Sequence, residues 1–193
     1  SGNTLTNAQT VGQTLLIFLQ TIAAGAGGDF QTLTGLTPQE AAALIQQAET
    51  EFAAAHGVDP ATITNRLVAG GGIATVLGAR VQVLNGSRVD RNFAGASTTG
   101  STPVGIGGGI ASFLGRVDVS NGSVSGNAST EDGGGVWARK QVRITRGTLS
   151  QNTALGETLG ALGGAMFLGS PSTDSLIANS TLQGNGSEYG GGV

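Results

Sequence analysis

Gly133-Gly134-Gly135-Val136, then Val142-x-Ile144 and Leu149-x-x-Asn152, is the passage that decides the fold, because the chain keeps returning to it. The glycine signature recurs at Gly70-Gly71-Gly72-Ile73, Gly107-Gly108-Gly109-Ile110, Gly163-Gly164-Ala165-Met166 and Gly190-Gly191-Gly192-Val193, with starts 37, 26, 30 and 27 residues apart. The second signature recurs as Val81-x-Val83 to Asn92, Val117-x-Val119 to Asn127 and Ser175-x-Ile177 to Asn185. From the first strand residue to the Asn is 10 residues in three copies and 11 in the other, where Arg88 is extra. Two linked motifs at a nearly fixed period mean stacked repeats.

Within one repeat, Val117-Asp118-Val119 puts two valines on one face and the aspartate on the other. Asn121-Gly122-Ser123 is a turn, since Gly accepts positive φ and Asn tolerates it. Stacked in parallel, equivalent residues lie about 4.8 Å apart. Val81, Val117 and Val142 then form one interior column, and Val83, Val119, Ile144 and Ile177 another. Asn92, Asn127, Asn152 and Asn185 form a third, read as a structural ladder of side-chain hydrogen bonds. The glycines serve tight corners where one rung passes close to the next. They are followed by strands, whereas a nucleotide-binding glycine loop opens a helix.

Outward from the repeats, composition agrees. Glycine is 35 of 193 residues and charged residues are 11%, so solvent-facing positions fall to Ser, Thr, Asn, Gln and Gly. The net charge of −3 gives no general electrostatic case for nucleic acid. No Lys or Arg precedes Arg66, so the early part is acidic and the rest slightly basic. The chain has no cysteine and a single histidine, His56. That excludes disulfides and thiolate metal sites and weighs against nucleophile–His and multi-His centres.

Residues 1–36 read as irregular first rungs, with a buried strand over Thr14–Gln20 and a degenerate glycine corner at Gly25–Gly28. Ser1-Gly2-Asn3 repeats Ser125-Gly126-Asn127, which phases the start of the chain inside a repeat. Residues 37–57 are an amphipathic helix. Thr37-Pro38-Gln39-Glu40 supplies the cap, and Ala41, Leu44, Ile45, Ala48, Phe52 and Ala55 supply the apolar stripe. Gly57 stops the helix, and His56 sits where a positive charge suits its last turn. The helix is expected to lie against the side of the stack, with a docking helix for another protein as the alternative. Residues 58–193 are the regular rungs, and the whole is one continuous domain. Both ends fall within a repeat unit, which favours a piece of a longer chain over ends completed by neighbouring copies.

The paired motif resembles the GGA[ILV] and FxxN repeats of polymorphic outer-membrane and related autotransporter-type passengers, with Val or Leu here where that family prefers Phe. The resemblance covers residues 69–193. It implies an all-β solenoid, a right-handed parallel β-helix, into which the α-helix read from residues 37–57 is inserted near the N-terminus. It also implies a secreted or surface-displayed protein, often adhesive, on a bacterial outer surface.

The candidate binding residues are Trp137, Arg139, Lys140, Arg143 and Arg146, four of nine basic residues beside the only tryptophan. Such a group suits an anionic glycan or an acidic protein patch, or is simply a solvated face. Asp118 and Arg143 become neighbours on adjacent rungs, as a surface ion pair. No catalytic set, metal site or cofactor is assigned. The expected function is a non-enzymatic stalk, fibre or adhesin segment. A polysaccharide-active β-helix enzyme is one alternative, and a subunit polymerising through uncapped rungs is another. Partners are then a glycan, a protein or further copies of the chain, with no membrane span.

Overall fold

The computed structural model describes Thr4–Thr6, Gln9–Val11 and residues 36–62, 67–75, 79–96, 104–157, 159–169 and 174–193. The strand and glycine corner expected over Thr14–Gln20 and Gly25–Gly28 lie outside these residues. The first rung holds β1 (Thr4–Thr6), β2 (Gln9–Val11), helix α1 (Pro38–Ala55), β3 (Leu67–Ala69) and β4 (Ile73–Thr75). The second holds β5 (Arg80–Leu84), β6 (Arg88–Asp90), β7 (Phe93–Ala96), β8 (Val104–Ile106) and β9 (Ile110–Ser112). The third holds β10 (Arg116–Ser120), β11 (Ser123–Ser125), β12 (Ala128–Ser129) and β13 (Val136–Ala138). The fourth holds β14 (Gln141–Thr145), β15 (Thr148–Ser150), β16 (Thr153–Ala154) and β17 (Met166–Leu168), and the fifth β18 (Leu176–Ala178) and β19 (Thr181–Gln183).

Strands of equal rank pair from rung to rung, always in parallel. The sheets run β5-β10-β14-β18, β1-β6-β11-β15-β19, β2-β7-β12-β16, β4-β9-β13-β17 and β3-β8. Among the described residues the protein is therefore mostly β, built of stacked parallel sheets with one α-helix near the N-terminus, an arrangement compatible with a β-solenoid. Val117 is in register with Val81 on one side and Val142 on the other, and Ile144 with Val119 and Ile177. Val117, Val119, Val124, Ile144 and Leu149 are completely buried. Each such side chain contributes about 1.5–3 kcal/mol relative to exposure.

Register corrects the phase read from Ser1-Gly2-Asn3. Thr4 pairs with Arg88, which pairs with Ser123. Thr4 is thus the counterpart of Ser123 and not of Ala128, and Ser1-Gly2-Asn3 lies outside the described residues.

The two signatures are linked because they touch. A Cβ on Gly109 would stand 3.0 Å from Cγ of Asn127, and one on Gly135 2.9 Å from Cγ of Asn152. The middle glycine is tighter still, since a Cβ on Gly134 would lie 2.4 Å from the carbonyl carbon of Thr153 on the neighbouring stretch. Side chains are excluded there by backbone, which cannot swing away.

Helix α1 begins with a complete capping box. Glu40 N–H donates to Thr37 Oγ1 at 3.2 Å, and Thr37 N–H donates to Glu40 Oε2 at 2.7 Å. Its buried face departs from the expected stripe toward the end of the helix, and the side chains of Ile45 and Ala48 lie outside the described set. Ala41 and Phe52 are buried as expected, but Ala55 is exposed, while Glu49 and Ala53 are buried. With Leu67, Ala69, Val104, Ile106, Ala111, Phe113 and Trp137, the apolar members Ala41, Phe52 and Ala53 form a core of their own. It is distinct from the stack interior, to which Val136 and Ala138 belong. Trp137, between those two, faces the opposite side of β13 and so falls under the helix. This sheet is covered on both faces.

Candidate functional site

The densest buried polar group lies where the end of α1 meets the corner before Gly133. Glu131 and Asp132 are both fully buried there. Asp132 Oδ1 accepts from Leu162 N–H at 2.9 Å, and Glu131 Oε2 accepts from Leu159 N–H at 3.2 Å. Ser129 Oγ, 3.1 Å from the carbonyls of both acids, holds the corner in shape. His56, the C-cap residue of α1, turns its ring into this group. Its Nε2 is 2.9 Å from Asp132 Oδ2, and its Nδ1 is 3.4 Å from the carbonyl of Leu159.

Both ring nitrogens therefore face acceptors. Only the imidazolium, with two N–H donors, satisfies both. Burial opposes that charge, but the hydrogen bond and charge of Asp132, with Leu159 O and Glu131, hold the His56 pKa above its ordinary value. Asp132 is raised above the usual carboxylate range by burial, against the pull of His56 and Leu162 N–H. With both nitrogens engaged, His56 has none left to activate a nucleophile. The arrangement clamps the helix onto the stack.

A second clasp lies further back along α1. Arg139 Nε and Nη2 reach the two carboxylate oxygens of Glu51, each at 2.6 Å. This fork lowers the Glu51 pKa and raises that of Arg139. Glu49, buried on the same helix, is raised by desolvation.

The five candidate binding residues are divided by this geometry. Trp137 is buried, with ring centroids 4.8 Å from Phe113 and 6.4 Å from Phe167. Its Nε1 has no hydrogen-bond partner among the described residues. Arg139 is buried in its clasp with Glu51. Lys140, Arg143 and Arg146 are exposed, Lys140 before β14, Arg143 within it and Arg146 just beyond it. Arg143 is in register with Asp118, as the spacing requires. Asp118, however, is ion-paired with Arg80 and Arg116.

The asparagines stand in one column. Asn92, Asn127 and Asn152 are buried, and each donates its backbone N–H and its Nδ2 to Oδ1 of the next, ending on Asn185, at 2.9–3.1 Å. Nδ2 of Asn127, Asn152 and Asn185 also donates back to the carbonyls of Val89, Val124 and Leu149.

Sequence reasoning passed over Glu51, Glu131 and Asp132. The signal for the last two was an adjacent acid pair directly before a glycine corner in a chain with few charges. Among the described residues no group of three or more His, Cys, Asp or Glu could hold a metal ion, and no helix is long and apolar enough to cross a membrane. No family model, no curated protein and no solved structure matches the chain.

Proposed function

We propose that the chain is a non-enzymatic structural segment of a surface or extracellular protein, a stalk or adhesive passenger built as a right-handed parallel β-helix. One observation carries the reading: the Asn92–Asn127–Asn152–Asn185 ladder, buried from Asn92 to Asn152, in which side chains join rung to rung without a break. Such a column adds directional bonds along the axis to the apolar columns beside it. It resists both bending and slippage of register. The motif resemblance to autotransporter-type passengers supports the same role and a location outside the cell.

Single-molecule stretching of the chain along its axis tests the reading. Rungs held this way unravel at high force in steps of one rung, and Asn127→Ala lowers the force of the central steps. Smooth extension at low force would sink it. The competing reading, an enzyme acting on acidic polysaccharides, predicts new unsaturated uronide ends. Steady product that is lost on Arg143→Ala would replace the structural reading with that one.

A further inference from the structure

We propose that the corner between β5-β10-β14 and β6-β11-β15 binds a carboxylate-bearing polysaccharide laid along the stack. An open groove of about 440 Å³ lies there, lined by Gly86, Arg88, Asn121, Ser123, Arg146 and Thr148. It spans three rungs, so Arg88 and Arg146 stand on rungs roughly 10 Å apart, two strand spacings. Arg146 uses its Nε on Asn121 Oδ1 at 3.2 Å, and its Nη groups make no hydrogen bond among the described residues. The hydroxyls of Ser123 and Thr148, in register with Arg88 on the next two rungs, make no side-chain hydrogen bond among the described residues. The groove thus offers the Nη donors of Arg146 at one end and, at the other, the guanidinium of Arg88, whose Nη2 is shared with Asp90, with neutral hydroxyl donors beside them.

Two further observations point to a ligand. First, Arg146 has φ 51, the left-handed region, at a position where Asn85, Asn121 and Asn179 have φ 51, 50 and 51. Asn tolerates this conformation far better than Arg does, so Arg146 stands against local backbone preference. Second, arginines gather about this corner. Arg143 lies within β14 of the adjoining sheet, and Arg91 follows β6, whereas Arg80 and Arg116 open their strands at the far end of that sheet and are paired with Asp118. Among the described residues, the four arginines Arg88, Arg91, Arg143 and Arg146 are ion-paired with one aspartate, Asp90, which Arg88 and Arg91 share.

The occupant is argued from charge complementarity and from the chemistry of the donors. Guanidinium forks match carboxylates two bonds at a time, as Arg139 and Glu51 do elsewhere in this chain. Hydroxyl donors beside them suit a hydroxylated chain. The described residues of this corner include no aromatic side chain on which a base would stack, which favours a glycan over a single-stranded nucleic acid.

The test is titration of the full chain with polygalacturonate, its fully methyl-esterified form and a single-stranded oligonucleotide, at low and at 0.5 M salt (about a 4 Å screening length). The acid form is expected to bind at low salt and release at high salt, with neither of the others binding. Arg88→Thr with Arg146→Asn, which restore the residue types of neighbouring rungs, should weaken binding by at least about tenfold. Lys140→Gln, at the other end of β14, should change it less than about twofold. Unchanged binding by the double variant, equal binding of the ester, or tighter binding of the oligonucleotide would overturn the proposal. Chain cleavage during titration would instead sink the non-enzymatic reading and leave the binding site standing.

Discussion

Oδ1 of Asn127 lies 2.9 Å from the backbone nitrogen of Asn92 and 3.0 Å from its Nδ2, so one oxygen receives both donors of the preceding rung. At the same time Asn127 donates forward to Asn152 and back to Val89. Every polar atom of a completely buried side chain is thereby engaged.

Asn127→Asp keeps the shape and removes both side-chain donors. A carboxylate there faces Asn152 Oδ1 and the Val89 carbonyl, acceptor against acceptor. The variant should lose about 3 kcal/mol or more at neutral pH. It should recover part of that below pH 4, where a protonated Asp supplies one donor. Urea unfolding at the two pH values measures both. Equal loss at both would mean the ladder is not the source of the stability.

The helix clamp makes stability depend on pH in a defined direction. His56 is raised above 6.5, so its contribution is complete below pH 6.5 and is lost as pH rises through the folded value. Asp132 and Glu49, raised above 3.8 and 4.5, act with the same sign, favouring the fold below those values and losing ground as pH rises. Glu51, lowered by Arg139, acts oppositely, its contribution present above pH 4.5 and lost as pH falls through the folded value. The melting temperature should therefore fall between pH 6.5 and 9, and His56→Gln should flatten that slope. Fluorescence of Trp137, in the core that α1 seals, reports the release.

Arg139 holds Glu51 through two nitrogens at once. Arg139→Lys keeps the charge but replaces the fork with a point donor. A loss of about 1 kcal/mol is expected, read by thermal melting, with hydrogen exchange in α1 accelerating before that of β10 and β14. Uniform acceleration across strands and helix would mean the clasp does not act on the helix alone.

Two glycines separate strain from contact. Gly57 has φ +65 and open space where a Cβ would stand, so Gly57→Ala should cost only about 1 kcal/mol. Gly134→Ala drives a methyl group into the Thr153 backbone, so the rungs must part and the chain should fail to fold or lose several-fold more. Circular dichroism melts of the two variants decide this.

The repeat was legible because its signals are local and periodic. Val117 alternates with Asp118, Asn121 marks the turn, and each Asn recurs at nearly one distance from its strand. Pairing followed from that spacing alone, except at the start, where Thr4 takes the register of Ser123 and not of Ala128. The candidate site was less legible. Trp137, Arg139 and Lys140 are close in sequence, but successive residues of a strand face opposite ways. Which outward face is solvent depends on where α1 lies. No residue of β13 records that the helix covers it. Likewise nothing in His56 names Asp132, 76 residues away.

The ladder residues are separated by 35, 25 and 33 residues, yet their hydrogen bonds are of equal length. The length of a rung is thus uncoupled from its height. Segments can be lengthened or shortened at the corners, as α1 lengthens the first rung, while the axis keeps its pitch. Such a scaffold lets new surfaces be grafted onto its sides without re-solving the fold.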